Sequence, residues 1–100
     1  MKENQNTVYL EGHIDVPADR LAEVSAALPD HIALTRAEPG CLRFDVTPSP
    51  NIPGRFDVSE AFSDQAAFDA HQSRAKSSAW AEITAGIPRD YRIQTGRRPE

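Results

Sequence analysis

The sequence has a single cysteine, Cys41, so no disulfide can form within the chain. No grouping of Cys and His has the spacing of a zinc site, and no metal is expected. Apolar runs fall well short of the roughly 18 residues that a membrane span needs. The opening residues, Met1–Asn6, are polar after Lys2 and do not resemble a secretory leader. Basic charge is scarce: 11 Lys and Arg against 15 Asp and Glu give a formal charge of −4. That argues against nucleic acid as a partner, because binding phosphates calls for a basic face. Gly40, Gly54 and Gly86 are isolated and form no phosphate-cradling loop. These absences lead us to expect a cytoplasmic protein with no nucleic-acid or membrane partner.

What is present is an ordinary globular composition, 39% hydrophobic and 26% charged over 100 residues. One domain spanning 1–100 is expected, with an ordered core over about 7–95 and loose tails at 1–6 and 96–100. A chain this short buries only about 60–65% of the surface its unfolded form exposes, so its core is thin.

Hydrophobic spacing sets out the elements. Thr7–Val16 alternates, with Val8, Leu10, Ile14 and Val16 in one phase and Tyr9, Glu11, His13 and Asp15 in the other, the signature of a half-buried strand. After Pro17 the spacing becomes helical through Leu21, Val24, Leu28 and Ile32, up to about Ala37. Pro29 lacks an N–H and predicts a break or kink inside this helix, with Asp30 able to cap a second piece. His31 is expected on its exposed side. Pro39 and Gly40 end it. Leu42, Phe44 and Val46 mark a second strand, and Arg55–Phe62 a third, joined through the turn-rich stretch 48–54. Ser63 or Asp64 then caps a helix with Ala67, Phe68, His71 and Ala75 on one stripe. A weak point at Ser77–Ser78 precedes Trp80, Ile83 and Ile87, which continue helical spacing until Pro88. A short last strand carries Tyr91 and Ile93. Strand, helix, strand, strand, helix, strand is the α+β, ferredoxin-like split βαβ arrangement, an antiparallel sheet with both helices on one face. The other face, with Tyr9, His13, Arg43, Asp45 and Ser59, is too mixed for a dry core. A second copy of the sheet would cover it, so a homodimer is expected.

Two residues break the apolar pattern. Glu60 shares a phase with Val58 and Phe62, so its carboxyl points into the core. Desolvation there raises its pKa and suits acid–base work, whereas a structural carboxylate would be satisfied by backbone N–H groups or an arginine. His71 lies on the apolar stripe of the helix above, within reach of Glu60. It is either a satisfied core histidine or the base of a pair. Phe44, Phe62, Phe68, Trp80 and Tyr91 either fill the core or line a pocket for a flat aromatic ligand.

Two segments carry a family resemblance. Ala37-Glu38-Pro39-Gly40-Cys41-Leu42-Arg43-Phe44 resembles the EPGCLRY stretch of the antibiotic biosynthesis monooxygenase family. Phe56 through His71 resembles that family's F-x-x-x-E-x-[WF]-x-D-x-x-A-[FL]-x-x-H segment, with Phe62 where many members have tryptophan. The resemblance implies a dimeric α+β barrel of two ferredoxin-like sheets. It also implies a small aromatic substrate, quinol-like or phenolic, oxidised with O2 without flavin, haem or metal, and Glu60 and His71 as candidate catalytic residues. The sole tryptophan, Trp80, lies well past His71, which disfavours the haem-degrading branch. An isomerase of a small carbonyl compound on the same scaffold and a dimeric binding domain without catalysis are the alternatives.

Overall fold

The computed structural model describes residues 5–96. The tails expected at 1–6 and 96–100 therefore lie largely outside the described residues. Where described, Gly96 donates its N–H to the carbonyl of Thr7 at 2.8 Å.

The chain runs β1 (Val8–Asp15), a 3-10 turn (Ala18–Arg20), α1 (Leu21–Arg36), β2 (Cys41–Pro48), β3 (Arg55–Phe62), α2 (Gln65–Lys76), α3 (Ala79–Ile83) and β4 (Arg89–Thr95). The four strands form one antiparallel sheet in the order β2-β3-β1-β4, the ferredoxin-like α+β arrangement that the element order predicts. Among the described residues no helix is long and apolar enough to cross a membrane.

Alternation along the strands builds the core. Val8, Leu10 and Ile14 pair across β1–β3 with Phe62, Glu60 and Phe56, placing these side chains on the helix-covered face. There they pack with Val24 and Leu28 of α1 and Phe68 of α2. Gly12 pairs with Tyr91 of β4, and a Cβ on it would fall 2.0 Å from the Asp90 carbonyl oxygen. Only glycine lets β4 approach so closely.

The structure corrects several local expectations. Helix α1 runs through Pro29 without a break, and Asp30 caps nothing, because it lies inside α1. The missing N–H leaves the Ser25 carbonyl free, but Ser25 and Pro29 are both exposed, so water can serve it. A β-bulge between Cys41 and Arg43 resets the start of β2. Cys41, not Leu42, therefore stands opposite Phe62 and packs on the core. Tyr9 lies on the far face as expected yet is buried, with the Arg43 guanidinium 5.8 Å from its ring centroid. His31 is buried, not exposed.

Helix α2 starts where Asp64 accepts the Ala67 N–H at 2.8 Å, an N-cap worth roughly 1 kcal/mol. It stops at Ser77–Ser78. Ser78 caps the five-residue α3, and the Arg20 guanidinium donates to the carbonyls of Ile83, its last residue, and of Ala85 just beyond. Ile87 is buried beyond α3 in the loop before β4, not on a helix. The break between α2 and α3 turns the chain across the sheet and leaves a space beneath.

Candidate active site

That space is a cavity of about 310 Å³ between the sheet and the α2–α3 layer, of the size that small-ligand sites occupy. Its lining includes Leu10 of β1, Glu60 of β3, His71 of α2, His31 of α1, Trp80 of α3 and Tyr91 of β4. Strand alternation brings Glu60 there, since a residue in phase with Val58 and Phe62 must face the helices. The α2 stripe brings His71 above it. The two are buried to 6% and 4% exposure, with Glu60 Oε1 at 3.8 Å from His71 Nε2. This is too long for a hydrogen bond, and Glu60 Oε1 has no hydrogen-bond partner.

The partner of His71 is Glu38, whose Oε1 lies 3.0 Å from Nδ1. Glu38 sits in the turn between α1 and β2. Its placement depends on Gly40, whose φ of +84° closes that turn and whose missing Cβ admits the start of α2: an added carbon would meet Ala67 Cβ at 2.6 Å and Ser63 Oγ at 2.7 Å. Arg74, one turn beyond His71, donates to the other Glu38 oxygen and, at 3.0 Å, to Thr35 Oγ1. Thr35 in turn donates to the His31 carbonyl at 2.8 Å. A carboxylate held this way accepts the Nδ1–H of His71, fixing the tautomer and leaving the Nε2 lone pair toward Glu60.

Burial governs the protonation states. Desolvation pushes the Glu60 carboxyl up to about 8, with the Glu38 and Glu11 charges adding to the rise. Glu60 is thus mostly neutral at pH 7. Desolvation lowers the His71 pKa, and the Glu38 carboxylate opposes it. His31 falls to about 4, by burial first and then by the charges of Arg74 and His71. Tyr91 rises to about 12, again chiefly by burial. The cavity floor therefore pairs a neutral carboxylic acid with a neutral imidazole.

Of the seven residues singled out from the sequence, Glu60, His71, Trp80 and Tyr91 line the cavity. Phe44, Phe62 and Phe68 do not. They stand behind the histidines: Phe62 stacks on His71 at 4.8 Å between centroids, Phe68 packs edgewise on Phe62, and Phe44 meets His31 at 5.4 Å and His71 at 5.7 Å. Two residues were missed. His31 stacks on Trp80 at 4.6 Å with planes 6° apart, and its Nδ1 is buried without a partner. Glu38, in the turn between α1 and β2, belongs to no repeating pattern that would mark it. Among the described residues no group of three or more His, Cys, Asp or Glu side chains could hold a metal ion.

Comparisons with known proteins bear on the family and the fold. A family model described as antibiotic biosynthesis monooxygenase matches residues 7–83. A Nitrosomonas europaea protein, provisionally named an antibiotic biosynthesis monooxygenase, is 25% identical in sequence; the alignment covers 99% of this chain and 97% of that one, with a TM-score of 0.75. SnoaB, a cofactor-independent oxygenase from Streptomyces nogalater, is 15% identical over 94% of this chain and 96% of its own, with a TM-score of 0.77. MupZ from Pseudomonas fluorescens is 19% identical over 97% and 73%, with a TM-score of 0.78. These last two likenesses show a shared fold. No curated protein matches.

Proposed function

The chain belongs to the antibiotic biosynthesis monooxygenase family, and on that premise we propose that it is a cofactor-independent monooxygenase oxidising a quinol-like or phenolic small molecule with O2. The observation that carries this reading is His71, held by Glu38 at Nδ1 and presenting Nε2 to neutral Glu60 on the floor of the cavity.

In this reading His71 Nε2 takes the phenolic proton, and the neighbouring Glu38 carboxylate stabilises the imidazolium that results. Arg74 keeps Glu38 in place. The phenolate gives one electron to O2, and the radical pair joins at a ring carbon to form a peroxide. Glu60, carrying its proton at neutral pH, protonates that peroxide. Loss of the ring proton with cleavage of the O–O bond releases water and leaves a quinone. Phenol plus O2 thus gives quinone plus water. The substrate supplies all four electrons, so no external reductant enters. Leu10, Ala75 and the rings of Trp80 and Tyr91 supply the apolar lining that limits water beside the radical pair.

We further propose that the chain is one domain, acts in the cytoplasm and works as a homodimer joined through the sheet face away from the helices. The polar set on that face supports the last point: Ser59 donates to Glu11 at 2.7 Å and Arg43 to Ser59 at 3.1 Å, a partly buried network suited to an interface. Sedimentation at micromolar concentration should give a species of twice 11.0 kDa; the monomer alone would sink the dimer.

The activity is tested by oxygen uptake with a panel of hydroquinones, naphthols and anthrones in flavin-free, metal-free buffer. At least one should give uptake that His71→Ala abolishes. If none exceeds the His71→Ala control, the oxygenase reading fails, and turnover without O2 would favour isomerisation.

A further inference from the structure

The cavity is chemically graded from floor to mouth. Glu60 and His71, both buried, form the floor. His31, Trp80 and Tyr91 give flat aromatic walls. The exposed part of the lining carries two cations, Lys76 from the last turn of α2 and Arg89 from the start of β4. Neither forms an ion pair with a described residue. Arg89 donates to backbone, at 3.1 Å to the Thr84 carbonyl and 3.5 Å to that of Ile87, and has no carboxylate partner among the described residues. The carboxylates nearest in the chain, Glu82 and Asp90, are not in the lining, and Asp90 stands opposite His13 in the β1–β4 register. The single carboxyl that does line the cavity is Glu60, at the other end. Tyr91 feels both Arg89 and Glu60 electrostatically, whereas the charges acting on Glu60 are those of Glu38 and Glu11. A chain with a net charge of −4 thus keeps a positive mouth over an uncharged floor. Arg89 and Tyr91 lie beyond the matched residues 7–83, whereas Lys76 lies within them.

We propose that the ligand is an aromatic hydroxy acid, bound with its hydroxyl at His71 Nε2 and Glu60, its ring beside Trp80, His31 and Tyr91, and its carboxylate at Lys76 and Arg89. The fate of the hydroxyl rests on the oxygenase reading; the preference for an anion does not. A bound carboxylate replaces its hydration with two side chains that have no other charged partner, and a neutral isostere forgoes that gain.

The test is calorimetric titration under nitrogen with 2,5-dihydroxybenzoate and its primary carboxamide, ligands of matched shape. At pH 7 and low salt the acid should bind at least tenfold more tightly than the amide. Lys76→Gln and Arg89→Gln should each weaken the acid severalfold and leave the amide unchanged, and added salt should narrow the gap. Equal or tighter binding of the amide, no binding of either ligand, or an acid preference that both substitutions leave intact would overturn the proposal. Oxygen uptake on the same pair separates the two readings. Uptake on the amide without any preference for the acid keeps the oxygenase and removes the anion site. Acid-selective binding without uptake on any substrate of the panel does the reverse.

Discussion

His71 and Glu38, 33 positions apart in sequence, meet at 3.0 Å through Nδ1 and Oε1. The contact decides which imidazole nitrogen is free. In Glu38→Gln the amide can still accept from Nδ1, but the charge that raises the His71 pKa is gone. NMR titration of His71 should show its pKa moving further down. The maximal rate should drop on the order of 10²-fold, the scale of a lost acid–base contribution. An unchanged His71 titration would refute this role for Glu38.

Glu60 links stability to pH with a definite sign. Its value in the folded chain, about 8, lies above the ordinary 4.5. Between these values the unfolded chain releases a proton that the folded chain retains. The associated stability is therefore full below about 4.5 and is lost as pH rises through about 8. Glu60→Gln removes the titration. Urea unfolding should find the variant more stable than the parent at pH 7, by ~2–3 kcal/mol, with the difference closing by pH 4. A variant destabilised at pH 7 would show instead that the carboxylate is structurally required.

His31 works in the opposite sense. Its pKa is lowered from 6.5 to about 4 by burial and by the charges of Arg74 and His71. The stability it contributes is present above 6.5 and is lost as pH falls toward 4. Because its ring stacks on the sole tryptophan, emission from Trp80 reports the event. The acid quench should have its midpoint near 4 and vanish in His31→Leu. A midpoint near 6.5 would mean that the imidazole is solvated.

Gly12→Ala probes the seating of β4. The new methyl would press on the Asp90 carbonyl oxygen, and Tyr91 Cα stands 2.9 Å away. Backbone cannot yield as a side-chain tip does, so a loss of about 2–3 kcal/mol is expected. Thermal unfolding checks it. Loss of the β1–β4 pairing would also carry Tyr91 and Arg89 away from the cavity.

The sequence showed the sheet and half of the site. Alternation through Phe56, Val58, Glu60 and Phe62 marks the inward face of β3, and the stripe Ala67, Phe68, His71 and Ala75 sets α2 above it. What stayed hidden has physical reasons. The bulge near Cys41 is a register choice made between strands, which periodicity within one strand does not record. Glu38 lies in a turn outside any repeating pattern, and its partner comes from another helix. His31 was legible in principle: with Val24, Leu28 and Thr35 it repeats the helical spacing of the buried face. Reading its polar ring as a surface group concealed that. Phe44, Phe62 and Phe68 were correctly inward, but inward is not the same as lining a cavity, and only three-dimensional packing separates the two.

The pairing of β4 with β1 joins the two ends of the described chain: Gly96 donates to Thr7, and strand register carries on from there. The order in which the elements are strung is therefore incidental to the cavity. Fusing the ends through residues 97–100 and 1–4 and reopening the chain within 49–54, a loop that takes no part in the lining, should give a circular permutant with every wall in place. Such a permutant would make β4 and β1 one covalent hairpin. Because the cut makes β3 the first strand and β2 the last, and these two also pair, the permutant exchanges one end-to-end pairing for another and should refold at a rate close to the parent's.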